Sequence, residues 1–223
     1  MCATYAEAPA RHAAGAHTVS TDEKSGIQAL ERTHPNLPMR RGTIERREFE
    51  YARHGTQCLI ANFEVATGRV IAPTVGPTRT EADFAAHIAR TLATDPTAAW
   101  VFVLDQLNTH QSEALVRLVA AECRIATDLG VKGESGILAS MATRKAFLED
   151  STHRLRFVYT PKHSSWLNQI ELWFGILARR VLRRGSFASV DALRARLLTF
   201  IAYFNRTLAK PFKWTYNGRP LTI

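Results

Sequence analysis

The chain has 223 residues, 46% of them hydrophobic and 22% charged; this is too rich in core-formers for disorder and long enough for one domain, at most two. Lys and Arg number 29 against 20 Asp and Glu, a formal charge of +9. No stretch approaches the ~20 apolar residues of a membrane span. Glu7, Pro9 and Arg11 interrupt any signal-peptide core, and Cys2, Cys58 and Cys123 have neither zinc-ligand nor disulfide spacing, as expected in a reducing cytoplasm.

The charge is uneven. Residues 151–223 hold 13 Lys and Arg, Arg219 among them, and only the acids Glu171 and Asp191, a net +11; residues 1–150 are −2. So one-sided a block repels itself unless a polyanion lies against it, which makes nucleic acid the leading partner. A solvated basic surface is the plainer alternative. Attachment to anionic lipid is weaker, because no helix joins this charge to an exposed aromatic face.

Residues 1–15 read as a loose, Ala-rich leader. His17 to Asp22 has strand character and closes on Asp22-Glu23, and residues 24–55 read as an irregular excursion with Pro35 and Pro38. Gln57–Val65 is a predicted strand, Ala66-Thr67-Gly68 a turn, and Arg69–Val75 its hairpin partner. Thr80 with Asp83 forms a capping box for a helix whose stripe is Phe84, Ile88 and Leu92. Trp100–Leu104 is an unbroken apolar run ending in Asp105, as in a central strand buried on both faces. A helix is expected over about 111–123, a short one near 139–149, and a strand over 155–159. A further helix starts from Ser164 or Ser165 with Trp166, Ile170, Trp173, Phe174, Leu177 and Val181 buried. A last helix, capped by Ser189, stops before Pro211. This order gives an α/β domain with a mixed sheet.

Three isolated carboxylates carry the chemistry. Asp105 closes a buried strand, where an unpaired carboxylate is costly unless it meets solvent or a cation, and ligands bind beyond such strand ends. Asp22 also closes a strand, with Glu23 on the opposite face if the strand continues. Glu171 lies in the middle of a helix with no base at i±3 or i±4. The ordinary readings are a helix cap or turn former for Asp105, a turn residue for Asp22 and a salt bridge for Glu171. Together the three suit Mg²⁺ or Mn²⁺, which prefer oxygen ligands, and two such ions clamp a phosphodiester. Phosphate-binding loops, dinucleotide fingerprints and a nucleophile elbow are absent; Gly133-Glu-Ser-Gly136 fails the last pattern. His110 and His163 lie near the acids without a spaced partner. A glycosidase with paired carboxylates gives no reason for the +11 flank.

VSTDEKSGIQAL around Asp22, VFVLDQLNTH around Asp105, FVYTPKHSSWLNQIELWF around Glu171 and the closing YFNRTLAKPFKWTYNGRPL resemble the mariner-like insertion-sequence transposases. That resemblance implies a ribonuclease H-like fold and a DDE catalytic core in which Asp22, Asp105 and Glu171 are the catalytic acids and ligands of two Mg²⁺ or Mn²⁺ ions. It implies cleavage of double-stranded DNA at terminal inverted repeats, strand transfer into target DNA, typically at TA, and a homodimer in the transposition complex, in a nucleoid-associated bacterial protein without membrane attachment. The expected division is a leader or remnant linker over 1–15, a catalytic domain over 16–210 with an insertion at 124–153, and a tail over 211–223. The 66-residue step from Asp105 to Glu171 is long for the family, and the insertion absorbs the excess. Family members usually begin with a helix-turn-helix region, so a core lacking it is expected. The alternative function is a catalytically idle remnant that only binds DNA.

Overall fold

The computed structural model describes residues 1–46, 48–162 and 164–216. His163 and the end of the tail, 217–223 with Arg219, lie outside the described residues. Five strands form one mixed sheet: β1 (His17–Arg32), β2 (Tyr51–Glu64), β3 (Val70–Gly76), β4 (Trp100–Leu104) and β5 (Leu155–Tyr159), in the order β3-β2-β1-β4-β5. β1 pairs antiparallel with β2 and parallel with β4; β2–β3 is antiparallel and β4–β5 parallel. Among the described residues six α-helices flank it: α1 (Cys2–Ala13), α2 (Glu81–Leu92), α3 (Glu113–Glu122), α4 (Met141–Glu149), α5 (Gln169–Leu177) and α6 (Val190–Thr207). No helix among the described residues is long and apolar enough to cross a membrane.

Strand alternation sorts the core into two layers. Cys58 and Ile60 of β2 and Trp100, Phe102 and Leu104 of β4 meet Phe84, Ile88, Leu115 and Val119 of α2 and α3. On the other face Leu59, Ala61 and Phe63 meet Ile170, Trp173 and Phe174 of α5 and Leu193, Leu197 and Phe204 of α6. The Thr80–Asp83 capping box starts α2 as expected, and Ser112 and Ser189 cap α3 and α6. The hairpin turn needs Gly68: its φ is +72°, and a Cβ there would lie 2.0 Å from the Lys210 carbonyl oxygen.

Four expectations change. The strand does not close at Asp22. β1 runs on to Arg32, because β2 starts at Tyr51 and carries the antiparallel ladder through Arg32↔Tyr51 with two register shifts. The leader over 1–15 is helix α1, which buries Tyr5 and Ala8 against Val65 and Val103 despite Pro9. The helix expected from Ser164 or Ser165 starts only at Gln169, after a 3₁₀ turn over Ser165–Leu167, and Trp166 is 56% exposed instead of joining the buried stripe. That moves Glu171 from mid-helix to the first turn of α5. The short helix expected near 139–149 is present as α4, and its Leu148 joins the core.

These placements set opposite costs for two tryptophans. Trp173→Ala empties a fully buried site and is expected to cost about 3–5 kcal/mol in urea unfolding, whereas Trp166→Ala should change stability by less than about 1 kcal/mol.

Candidate active site

The last parallel pair between β1 and β4 is Ser20↔Val103. Two residues further along the same register stand Asp22, still inside β1, and Asp105, just past the end of β4. Ladder alternation puts both on the face covered by α1 and α5. The sheet thereby brings together carboxylates 83 residues apart in the chain.

Asn168 fixes the helix that carries the third acid. Fully buried, it donates from Nδ2 to the Thr21 carbonyl at 3.0 Å and to Asp22 Oδ2 at 3.1 Å, and its Oδ1 accepts from Ser20 Oγ. Ser20 Oγ in turn accepts from the Ile170 N–H at 2.8 Å. Asn168 is also the residue before α5, and its carbonyl accepts from the Glu171 N–H at 3.1 Å. Glu171 is exposed one turn beyond this anchor, with no ion pair among the described residues. Behind it Tyr5 Oη donates to the Leu167 carbonyl at 3.0 Å and accepts from the Gln169 N–H at 3.4 Å, so α1 supports the entry to α5. Neither Asn168 nor Tyr5 was singled out in the sequence; an Asn just before the apolar run of α5 is the one signal available, that of an N-cap.

The charges are shared unequally. Asp22 is 7% exposed; burial and the neighbouring Asp105 push its carboxyl up to about 7, against the Glu23 N–H and His110, which draw it down. Burial also raises Asp105, but the hydrogen bond and charge of His110, the Leu107 N–H and Arg79 outweigh it, and this carboxyl lies below its usual range. His110 is fully buried, with Nδ1 2.7 Å from Asp105 Oδ1 and Nε2 3.2 Å from Glu23 Oε2. Burial opposes its charge, yet those two carboxylates hold the ring up at about 10. Glu23, on the sheet face opposite Asp22, is the residue that reaches His110 from β1.

This donor set fits a hard divalent cation. Asp22 and Asp105 offer carboxylate oxygens, and Asp22 is a buried acid for which a cation would offset the desolvation and the repulsion from Asp105; Glu171 is exposed in the first turn of α5 and is not among the ligating atoms that converge on Asp22. Ligating atoms of Asp22, Glu23 and His110 lie within 4.8 Å of one another, so a second, more buried set overlaps the first.

The family described as DDE superfamily endonuclease matches residues 17–194. Among solved structures, the crystal structure of the Mos1 mariner paired end complex with Mn is similar at 13% identity and a TM-score of 0.54, covering 91% of this chain and 54% of that one. The Mos1 strand transfer complex follows at 12% identity, TM-score 0.47, covering 90% and 52%. The chain thus spans about half the length of the solved structures it matches. The first shows that the mixed sheet and its helices have the ribonuclease H-like fold of a DDE transposase. No curated protein matches the chain.

A proton on Asp22 competes with any cation placed there. With that carboxyl near 7, Mn²⁺ affinity is expected to fall about tenfold per pH unit below pH 7. Titration followed by Mn²⁺ electron paramagnetic resonance checks this; affinity flat down to about pH 5 would mean an ordinary carboxylate.

Proposed function

Because the chain belongs to the DDE superfamily endonuclease family, we propose that this transposase catalytic domain cleaves phosphodiesters at the ends of a mobile element and joins them to target DNA. The observation that supports this reading is the register of β1 and β4, which sets Asp22 beside Asp105, with Asn168 tying Asp22 to the start of α5, where Glu171 lies in the first turn. In this reading Asp22, Asp105 and Glu171 hold two Mg²⁺ or Mn²⁺ ions. Bound there, the ions would supply Lewis acidity to the scissile phosphate and to the attacking and leaving oxygens.

The chain's own residues do the rest. Asn168 orients the Asp22 carboxylate from Nδ2. His110 keeps one proton on Nδ1 towards Asp105 and one on Nε2 towards Glu23, a fixed positive charge that leaves Asp105 ionised. Exposed Arg79, near enough to draw Asp105 down, is suited to a phosphate oxygen. The attacking groups are water in the first step and the freed 3′-hydroxyl in the second.

Double-stranded DNA, both the element's inverted repeats and the target, is the proposed partner, engaged by a dimer. Arg180, Arg196 and Arg206 line one groove with exposed Tyr203 between α6 and the π-helical turn (Ala178–Leu182) that follows α5. None of the three has an ion pair among the described residues. Guanidinium groups without acidic partners are free for backbone phosphates. The soluble, nucleoid-associated setting belongs to the same proposal, as does the division into a core over 16–210 with an insertion at 124–153.

Asp105→Ala separates an enzyme from an idle DNA-binding remnant. Metal-dependent nicking of supercoiled plasmid should drop by at least about 10³-fold while DNA affinity is kept within about twofold. Wild-type protein that never nicks with Mg²⁺ or Mn²⁺ would leave the remnant reading. Separately, contact with about six phosphates gives a log–log salt slope near −5, and Arg196→Ala should lessen it by about 1; a flat response measured by fluorescence anisotropy would exclude a phosphate-bound groove.

A further inference from the structure

At the start of β1, five residues before Asp22 and about 16 Å from it along the strand, three elements converge on a second cluster. His12 comes from the last turn of α1, His17 opens β1 and Glu64 ends β2. Their ligating atoms lie within 4.8 Å of one another: His17 Nδ1 is 2.6 Å and His12 Nδ1 3.5 Å from the same oxygen, Glu64 Oε1. The Glu64 side chain is 5% exposed, and among the described residues no Lys or Arg pairs with it. A buried carboxylate so placed needs a cation.

Two imidazoles and a carboxylate are the ligand set of an open, four-coordinate zinc site. With ligand bonds of about 2.0–2.1 Å, a tetrahedron sets its donor atoms about 3.3 Å apart, close to the His12–Glu64 separation already present. The outer contacts fit as well. His17 Nε2 faces Asp95 Oδ2 at 3.3 Å, the arrangement that orients a metal-bound imidazole through its other nitrogen. The His17 ring is stacked on Trp100 with centroids 4.1 Å apart, which limits its rotation. Thr67 Oγ1 donates to Glu64 Oε2 at 2.5 Å, leaving Oε1 for the site. His12, 43% exposed, leaves the fourth position open to water.

We infer that His12, His17 and Glu64 bind one Zn²⁺-class transition ion that clamps α1 to the base of the sheet. Nδ1 of His17 now meets Glu64 and Nε2 meets Asp95, so the ring donates at both only as imidazolium. Metal at Nδ1 takes the place of that proton, which passes to solvent. Nitrogen donors set this site apart from the oxygen-rich centre at Asp22 and Asp105, where Mg²⁺ belongs.

Co²⁺ titration of the full chain, freed of any histidine tag, tests the site without reference to activity. One equivalent is expected to give the intense visible absorption of four-coordinate Co²⁺, displaced by Zn²⁺ and not by Mg²⁺. The bands should persist in Asp105→Asn, vanish in His12→Ala, and weaken in Asp95→Asn with affinity lower by about 10–100-fold. His12 is half-exposed on a helix surface, so His12→Ala should keep the metal-free melting temperature of wild type while losing its rise with Zn²⁺. Folded wild type without these bands, or bands unchanged in His12→Ala, would reduce the cluster to an ion pair between protonated histidines and Glu64.

Discussion

Asn168 is the contact on which the geometry of the candidate site depends. Every polar atom of its amide is used, on Ser20, on the Thr21 carbonyl and on Asp22. Because its backbone φ of −81° and ψ of 110° are extended, it also ends the preceding 3₁₀ turn and starts α5 in a new direction. The side chain that orients the first acid is thus three residues before the third acid. Removing a buried amide of this kind strands several partners, each worth about 1–3 kcal/mol when left unpaired. Tyr5 braces the same turn from behind, which gives α1 a part in the site although it carries no catalytic group.

Around this contact the electrostatics are divided between two faces of the sheet. Asp22 and Asp105 share one face and repel, while Glu23 reaches His110 on the other. His110 is therefore a built-in positive charge that holds Asp105 ionised and leaves Asp22 as the acid most in need of a further cation. A neutral side chain at position 110 would leave two carboxylates facing each other with less compensation. The buried imidazolium thus compensates Asp105 and Glu23, and Asp22 is left with less compensation.

Much of this was legible in the sequence where local chemistry and burial agree. Trp100–Leu104 could only be a strand buried on both faces, and Thr80 with Asp83 could only start a helix. Asp105 stood out because an acid ends an apolar run. Other features are tertiary. Lys24 to Arg32 has the mixed polarity of a loop, and it becomes strand only because residues 51–59 of β2 pair with it. Trp166 fits the apolar period of α5, but the Asn168 anchor interrupts the helix before that period can operate. The Ala-rich N-terminus reads as loose because nothing local anchors it, and the packing of Tyr5 and Ala8 holds it as a helix despite the hydrogen bond lost at Pro9. Pairing of Asp22 with Asp105 required the parallel register, which no local pattern encodes.

The central claim is that Asp22, Asp105 and Glu171 form one divalent-metal centre. It is tested most directly by crystals grown with Mn²⁺ and measured for anomalous scattering at the manganese edge. Peaks in contact with carboxylate oxygens of all three residues are the expected result. A peak held by Asp22, Glu23 and His110, with Glu171 turned to solvent, would contradict it.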